Sequence, residues 1–343
     1  MKILVMTDTH FRTYGNRLVN GLNEFFFKQI TIFDEIIDKE SPDIVIFCGD
    51  LFDKRYKLDV VVSYFVSKVI NKYTRKGVKF YFLVGNHDLY RMSFINSIEV
   101  VSGLNRVFKK RKVIDINGDS FVFLPYIKEI NSKEDLKSVK KFLRKNDGYL
   151  FVHNYIDVFN RIENGNEVDF TNADEYVISE EDISHYEYVF SGHNHLHQEK
   201  GNLRNIGSLF YLKWSEVGER GYYVLDEDKV MFRESESFRF ITYRFEDNFD
   251  LEEDLDFNDY DYYRFIVKED LVDSLLKKYD RRKVSFNLMD IIVEYKAEEN
   301  EQNEVVNMNY DYEEAIEEFV KYKKKDKVFI EKGLEVLNEV LGD

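Results

Sequence analysis

The chain has 343 residues, 44% of them hydrophobic and 33% charged, which is enough apolar material for cores in about two domains at ~150 residues each. Its 65 acidic and 49 basic side chains leave a formal charge of −16, which excludes a histone-like coat on nucleic acid, because unselective phosphate binding needs surplus Lys and Arg. A single cysteine, Cys48, excludes an internal disulfide and multi-cysteine zinc modules, no apolar run reaches the ~18 residues of a membrane span, and Met1–Met6 runs into polar residues without a cleavage site, so a reduced, cytoplasmic protein is expected.

Lys2–Met6 predicts a first strand. Gly21–Lys39 spaces its apolar residues as a helix does, Asp43–Cys48 follows as a strand, Val60–Arg75 as a second helix and Lys79–Val84 as a third strand. Tyr149–Val152 and Tyr188–Phe190 repeat the strand pattern. All five runs are β-branched or aromatic without period-two alternation, as strands buried on both faces are. From Asn205 to Arg233 strands follow without helices, with turns at Gly218, Gly221 and Asp226 to Asp228. They are expected to complete a second sheet, with Trp214 in its core.

The composition shifts near residue 238. Phe238–Phe245 and Tyr262–Val267 read as strands around an acidic connector, Glu246–Asp261, whose nine carboxylates are expected to face solvent. A helix from about Glu269 to Tyr279 and a strand from Val284 to Tyr295 complete a small α+β unit. Lys296–Asn309 is polar and glycine-free, as a linker is. Two helical stripes follow, Tyr312, Ile316, Phe319 and Val320, then Ile330, Leu334, Leu337 and Leu341. The expected class is α/β, a layered β-sandwich flanked by helices over residues 1–237, with a small α+β capping domain over 238–296 and a helical tail over 297–343.

Five polar clusters stand immediately after predicted strands: Asp8-Thr9-His10, Gly49-Asp50, Gly85-Asn86-His87-Asp88, His153-Asn154 and Gly192-His193-Asn194-His195. Strand carboxyl ends in such sheets open onto one crevice, so clusters distant in sequence can converge. Singly, each cluster reads as a turn, a cap or a hydrogen-bonded histidine; five in this context point to one site. Carboxylate, imidazole and amide donors suit Mn²⁺, Fe²⁺ or Zn²⁺ better than a purely oxygen-loving Mg²⁺ or Ca²⁺. Seven such ligands are too many for one ion with an open position and fit two ions that share a carboxylate. Gly49, Gly85 and Gly192 would allow sharp turns into the crevice.

In this order the clusters resemble those of the calcineurin-like metallophosphoesterases, over roughly residues 1–235. Gly49-Asp50-Leu51-Phe52-Asp53 and Gly85-Asn86-His87-Asp88 look like the versions in SbcD (MRE-type) DNA double-strand-break repair nucleases of bacteria and phages. The resemblance implies the metallophosphoesterase fold and two divalent ions, Mn²⁺ first and Mg²⁺, Fe²⁺ or Zn²⁺ as substitutes. Asp8, His10 and His195 would hold one ion, Asn86, His153 and His193 the other, and Asp50 would bridge them. His87 matches the catalytic histidine that protonates the leaving oxygen. Asp53 stands where archaeal and eukaryotic relatives often have a second histidine, and its carboxylate would fix the His87 tautomer. Phe11-Arg12 departs from the hydrophobic-glycine pair common in the nucleases.

The activity so implied is a Mn²⁺-dependent DNA nuclease, exonucleolytic on double-stranded ends and endonucleolytic on single strands. It would act in a recombination-repair complex, as a homodimer within a heterotetramer, with an SbcC-type coiled-coil ABC ATPase docked on residues 310–343. Candidate DNA contacts are Arg12, Lys54 and Arg55 near the site and Lys277, Lys278, Arg281, Arg282 and Lys283 in the capping unit. The alternatives are a phosphomonoesterase and a catalytically dead scaffold. Phe52, Lys54 and Asp88 break the patterns usual in protein phosphatases, and dead scaffolds lose ligands that this chain keeps. His197, two residues past His195, could by alternation point to the same place; His185 and Cys48 read as structural, and Lys109–Lys112 as a solvated face.

Overall fold

Ile3, Leu4, Val5 and Met6 are all buried, so the first strand has no solvent face. The structure is a computed structural model that describes residues 1–294 apart from 16–17, 20, 56, 91–94, 104, 131, 164–165, 169–174, 228, 246–256, 259, 269–270 and 279–286. The described residues lie within one unit, Met1–Tyr295. The expected linker and helical tail therefore lie outside them, as does most of the acidic connector.

From the amino end the elements run β1 (Lys2–Met6), β2 (Leu18–Val19), β3 (Leu22–Asn23), α1 (Glu24–Glu40), β4 (Ile44–Phe47), α2 (Val60–Arg75), β5 (Lys79–Leu83), α3 (Ile98–Val101) and β6 (Arg106–Phe108). There follow β7 (Lys112–Ile116), β8 (Asp119–Leu124), α4 (Lys133–Lys145), β9 (Tyr149–Val152), β10 (Arg161–Glu163), β11 (Asn166–Val168), α5 (Glu180–Ile183), β12 (Tyr188–Ser191), β13 (Gln198–Lys200) and β14 (Leu203–Asn205). The last are β15 (Gly221–Asp226), β16 (Lys229–Glu234), β17 (Phe240–Phe245), β18 (Tyr262–Lys268), α6 (Val272–Lys278) and β19 (Asn287–Glu294).

Two six-stranded sheets result, in the orders β16-β15-β1-β4-β5-β6 and β13-β14-β12-β9-β8-β7. Strands β1, β4, β5 and β6 are parallel in the first, and β8, β9, β12 and β14 in the second. Alternate side chains face opposite ways, which explains why apolar residues fill both faces. Val5, Ile46 and Leu83 meet Phe121, Phe123, Phe151 and Phe190 between the sheets. Leu4, Met6, Phe47 and Phe82 pack outward on Phe33, Ile37, Val66 and Ile70 of α1 and α2. Val122, Leu150 and Val189 cover the other outer face with Val139, Leu143 and Ile183 of α4 and α5. The result is an α/β sandwich flanked by helices. The Asp59 side chain starts α2 by accepting from the Val61 and Val62 amides at 2.8 and 3.2 Å.

Four expectations are corrected. The hairpin β15–β16 extends the first sheet through β1 instead of completing the second, and Gly221 opens a strand instead of a turn. Trp214 lies outside both sheets, partly buried, 4.9 Å from the Phe240 ring. Asp261, at the end of the acidic connector, is buried and ion-paired with Arg239 at 2.8 Å. β17, β18 and β19 form a separate parallel three-stranded sheet, and Phe238 and Tyr262 pack into the core around α1.

Candidate metal centre

The ends of β1, β4 and β5 in one sheet and of β9 and β12 in the other deliver the five clusters to one place. Main-chain bonds lace the first loops together: the amides of Asp8, His10 and Phe11 donate to the carbonyls of Gly49, Asp50 and Leu51 at 3.0, 3.1 and 2.9 Å. Asp8, His10, Asp50 and His193 are held at φ 50, 42, 56 and 80°, a left-handed conformation rare outside glycine that collects at functional sites. Gly49, at φ 102°, turns as expected. Gly85 does not take a positive φ; it is required because a Cβ there would strike the Asp50 carboxylate and lie 2.8 Å from His153 Nε2.

Among the described residues, the seven expected ligands fall into two candidate groups with Asp50 between them. Asp8 Oδ1 lies 3.6 Å from both His10 Nε2 and His195 Nε2. In the other group, Asn86 Oδ1 lies 3.1 Å from His153 Nε2 and 2.9 Å from His193 Nδ1. Asp50 stands between them, Oδ2 3.5 Å from His10 Nε2 and Oδ1 3.4 Å from His153 Nε2. Two atoms held ~2.1 Å from one tetrahedral ion lie roughly 3.4 Å apart, so the 3.4–3.6 Å spacings around Asp8 and Asp50 suit shared coordination better than hydrogen bonds, while the Asn86 contacts are of hydrogen-bond length. Asp8 Oδ1 and His10 Nε2 are buried without a hydrogen-bond partner, as donors awaiting a cation are. These residues fit divalent ions.

The electrostatics agree. Burial pushes the Asp8 carboxyl up, but the imidazoles of His10, His153 and His195 outweigh it and bring it down to about 2. Asp50 is likewise held well below the carboxylate range against burial, chiefly by His153. Burial lowers His153, and the Asp50 charge more than reverses this, to about 9. Both carboxylates are anionic, and a cation bound at Asp50 would displace the proton that the Asp50 charge holds on His153.

His87 lines the same cavity, of about 350 Å³, with its ring edge-on to His10 at 4.7 Å. Its expected partner is corrected: Nδ1 lies 2.5 Å from the main-chain carbonyl of Asp53, while the Asp53 carboxylate pairs with Arg12 Nη1 at 3.0 Å. Arg12 also donates to the Leu212 carbonyl at 2.6 Å, so this candidate DNA contact is engaged within the protein. Lys54 and Arg55 are exposed, and Arg55 Nη2 lies 2.7 Å from the Asn86 amide. Turned over, that amide would accept from Arg55; as a metal ligand it presents Oδ1 inward. Lys278 is exposed on α6; the Lys277 side chain and Arg281, Arg282 and Lys283 lie outside the described residues. His197 does not point with His195: it stacks on Phe232 at 3.6 Å and meets the Tyr223 hydroxyl at 2.9 Å.

Three carboxylates without a role in the sequence reading surround the centre. Asp88 accepts from the amides of Asp50, Leu51 and Gly85 at 2.8, 3.1 and 2.9 Å. Glu216 Oε1 lies 2.8 Å from His195 Nδ1, and Glu175 Oε2 lies 2.9 Å from His193 Nε2. Asp88 had a signal, its place inside the Gly85-to-Asp88 cluster; the two glutamates, on loops outside every cluster, had none.

Residues 1–197 match the family model described as calcineurin-like phosphoesterase. The chain is 24% identical over 236 residues to exonuclease subunit 1 of Enterobacteria phage T4, a match covering 66% of this chain and 65% of that relative. Among solved structures it is similar to a dimetal phosphatase from Danio rerio, at 10% identity and TM-score 0.42 over 68% of this chain and 95% of that one. A nuclease, MPE, from Pseudomonas putida aligns at 12% identity and TM-score 0.31 over 67% of this chain and 87% of that one.

Proposed function

The chain belongs to the calcineurin-like phosphoesterase family, and on that basis we propose that it is a Mn²⁺-dependent DNA nuclease, the nuclease subunit of an SbcC/SbcD-type recombination-repair complex. The observation that carries the reading is the pair of ligand groups sharing Asp50 beside His87 on one open cavity. The relative named as an exonuclease subunit supports a nucleic acid over other phosphate esters.

Asp8, His10 and His195 would hold one ion, Asn86, His153 and His193 the other, and Asp50 both. Bound there, two such ions would supply charge neutralisation for a phosphodiester and activation of water. Asp53 O occupies His87 Nδ1, which leaves Nε2 as the nitrogen to give a proton to the departing oxygen. Lys54 and Arg55 offer positive charge to the flanking phosphates of an acidic protein's substrate.

Manganese-dependent cleavage of linear duplex DNA, compared with hydrolysis of p-nitrophenyl phosphate, tests the reading. DNA is expected to be the better substrate, and His87→Ala to slow its cleavage ~10²- to 10⁴-fold while metal is still taken up. Activity confined to the small ester would favour a phosphomonoesterase. Deleting residues 310–343 is expected to spare single-strand cleavage and to abolish co-purification with an ABC ATPase.

A further inference from the structure

His195 and His193 lie two residues apart, yet each turns its outer ring nitrogen to a different carboxylate on a different loop. His195 Nδ1 meets Glu216 Oε1 at 2.8 Å, and Glu216 is itself fixed, its Oε2 accepting from the Leu212 amide at 2.6 Å with Arg220 Nη2 3.5 Å away. Arg220 is buried and also donates to the His195 carbonyl at 2.9 Å, so histidine, glutamate and arginine close a ring. On the other side His193 Nε2 lies 2.9 Å from Glu175 Oε2, close but off the ideal hydrogen-bond line, and both atoms are buried. The Tyr126 and Tyr155 rings flank that imidazole at 5.4 and 4.4 Å. The inner nitrogens belong to different ligand groups, Nε2 of His195 facing Asp8 and Nδ1 of His193 facing Asn86.

We propose that Glu216 and Glu175 are separate positioning residues, each setting the affinity of one metal position: Glu216 for the Asp8–His10–His195 group and Glu175 for the Asn86–His153–His193 group. The inference rests on the two-metal reading above. A carboxylate on the outer nitrogen fixes the tautomer that leaves the inner nitrogen's lone pair free, and makes that nitrogen a better donor. Because the two braces share no residue, the positions can differ in affinity and fill in sequence.

Manganese titration of the metal-free full chain by calorimetry, with bound ion counted by electron paramagnetic resonance, is the test. The wild type is expected to show two binding events. Glu216→Gln should weaken one of them about 10- to 100-fold and leave the other, and the event it weakens should be the one lost in His195→Ala. Glu175→Gln should weaken the event lost in His193→Ala. Thermal melts of the metal-free proteins identify a variant that fails to fold, in which case the other variant decides alone. Variants that bind both ions as the wild type does, or that weaken both events equally, overturn the proposal. A wild-type chain that binds no manganese overturns the two-metal reading instead.

Discussion

A methyl group added at Gly85 would strike the Asp50 carboxylate, which faces both candidate ligand groups. Gly85→Ala is therefore expected to cost metal uptake and activity together while the fold persists, measured by manganese titration beside circular dichroism. Asp88 acts one step behind. Burial and then the Asp50 charge push its carboxyl up to about 7, and the amides of Gly85 and Asp50 oppose them. Asp88→Asn would turn an amide N–H toward main-chain N–H groups, with an expected loss of ~1–3 kcal/mol in denaturant unfolding of the metal-free protein. Asp88 was visible in the sequence as part of a cluster, but its function was not, because its partners are main-chain amides that have no residue signature.

β17 and β18 are tied at their entrance by one buried acid. Asp261 accepts from the Arg239 amide at 2.7 Å, from its Nη2 at 2.8 Å and from Asn258 Nδ2 at 3.0 Å. Burial raises the Asp261 carboxyl, and Arg239 and Asn258 reverse this and leave it below its ordinary value. A depressed carboxylate contributes stability that is present above the unfolded-state pKa and is lost as pH falls through the folded value. Asp261→Asn is thus expected to lower the melting temperature at neutral pH, with the gap closing in strong acid; a gap that persisted in acid would remove the ion pair as its cause. The strands themselves were legible as continuous apolar runs. α4 was not, since its thirteen residues bury only Val139 and Leu143, too few for a stripe.

Trp214, the only tryptophan, connects the small sheet to the centre. Its ring lies under the Arg264 guanidinium at 4.7 Å and beside Phe240, two residues before Glu216. Filling the metal position that His195 faces should therefore change its fluorescence, and Zn²⁺, which does not quench as Mn²⁺ does, is the ion for that titration. The intensity change is expected to be absent in His195→Ala. Divalent ions should also raise the melting temperature, because they bind the folded centre and not the unfolded chain, and a chelator should reverse the gain.

The class of fold and the strand ends that carry the candidate ligands were legible from residue identity alone, because burial pattern and donor chemistry are both properties of the side chains. The sequence did not determine which sheet β15 joins, since pairing depends on β1 offering a free edge more than 200 residues away. Nor could it show that His87 meets a carbonyl where a carboxylate was expected, or that Arg12 is spent on Asp53 and Leu212. Every carbonyl is alike in sequence, and only packing selects one. The glutamates behind His193 and His195 arrive on loops whose paths are set by the tertiary structure, and there alone do they become part of the site.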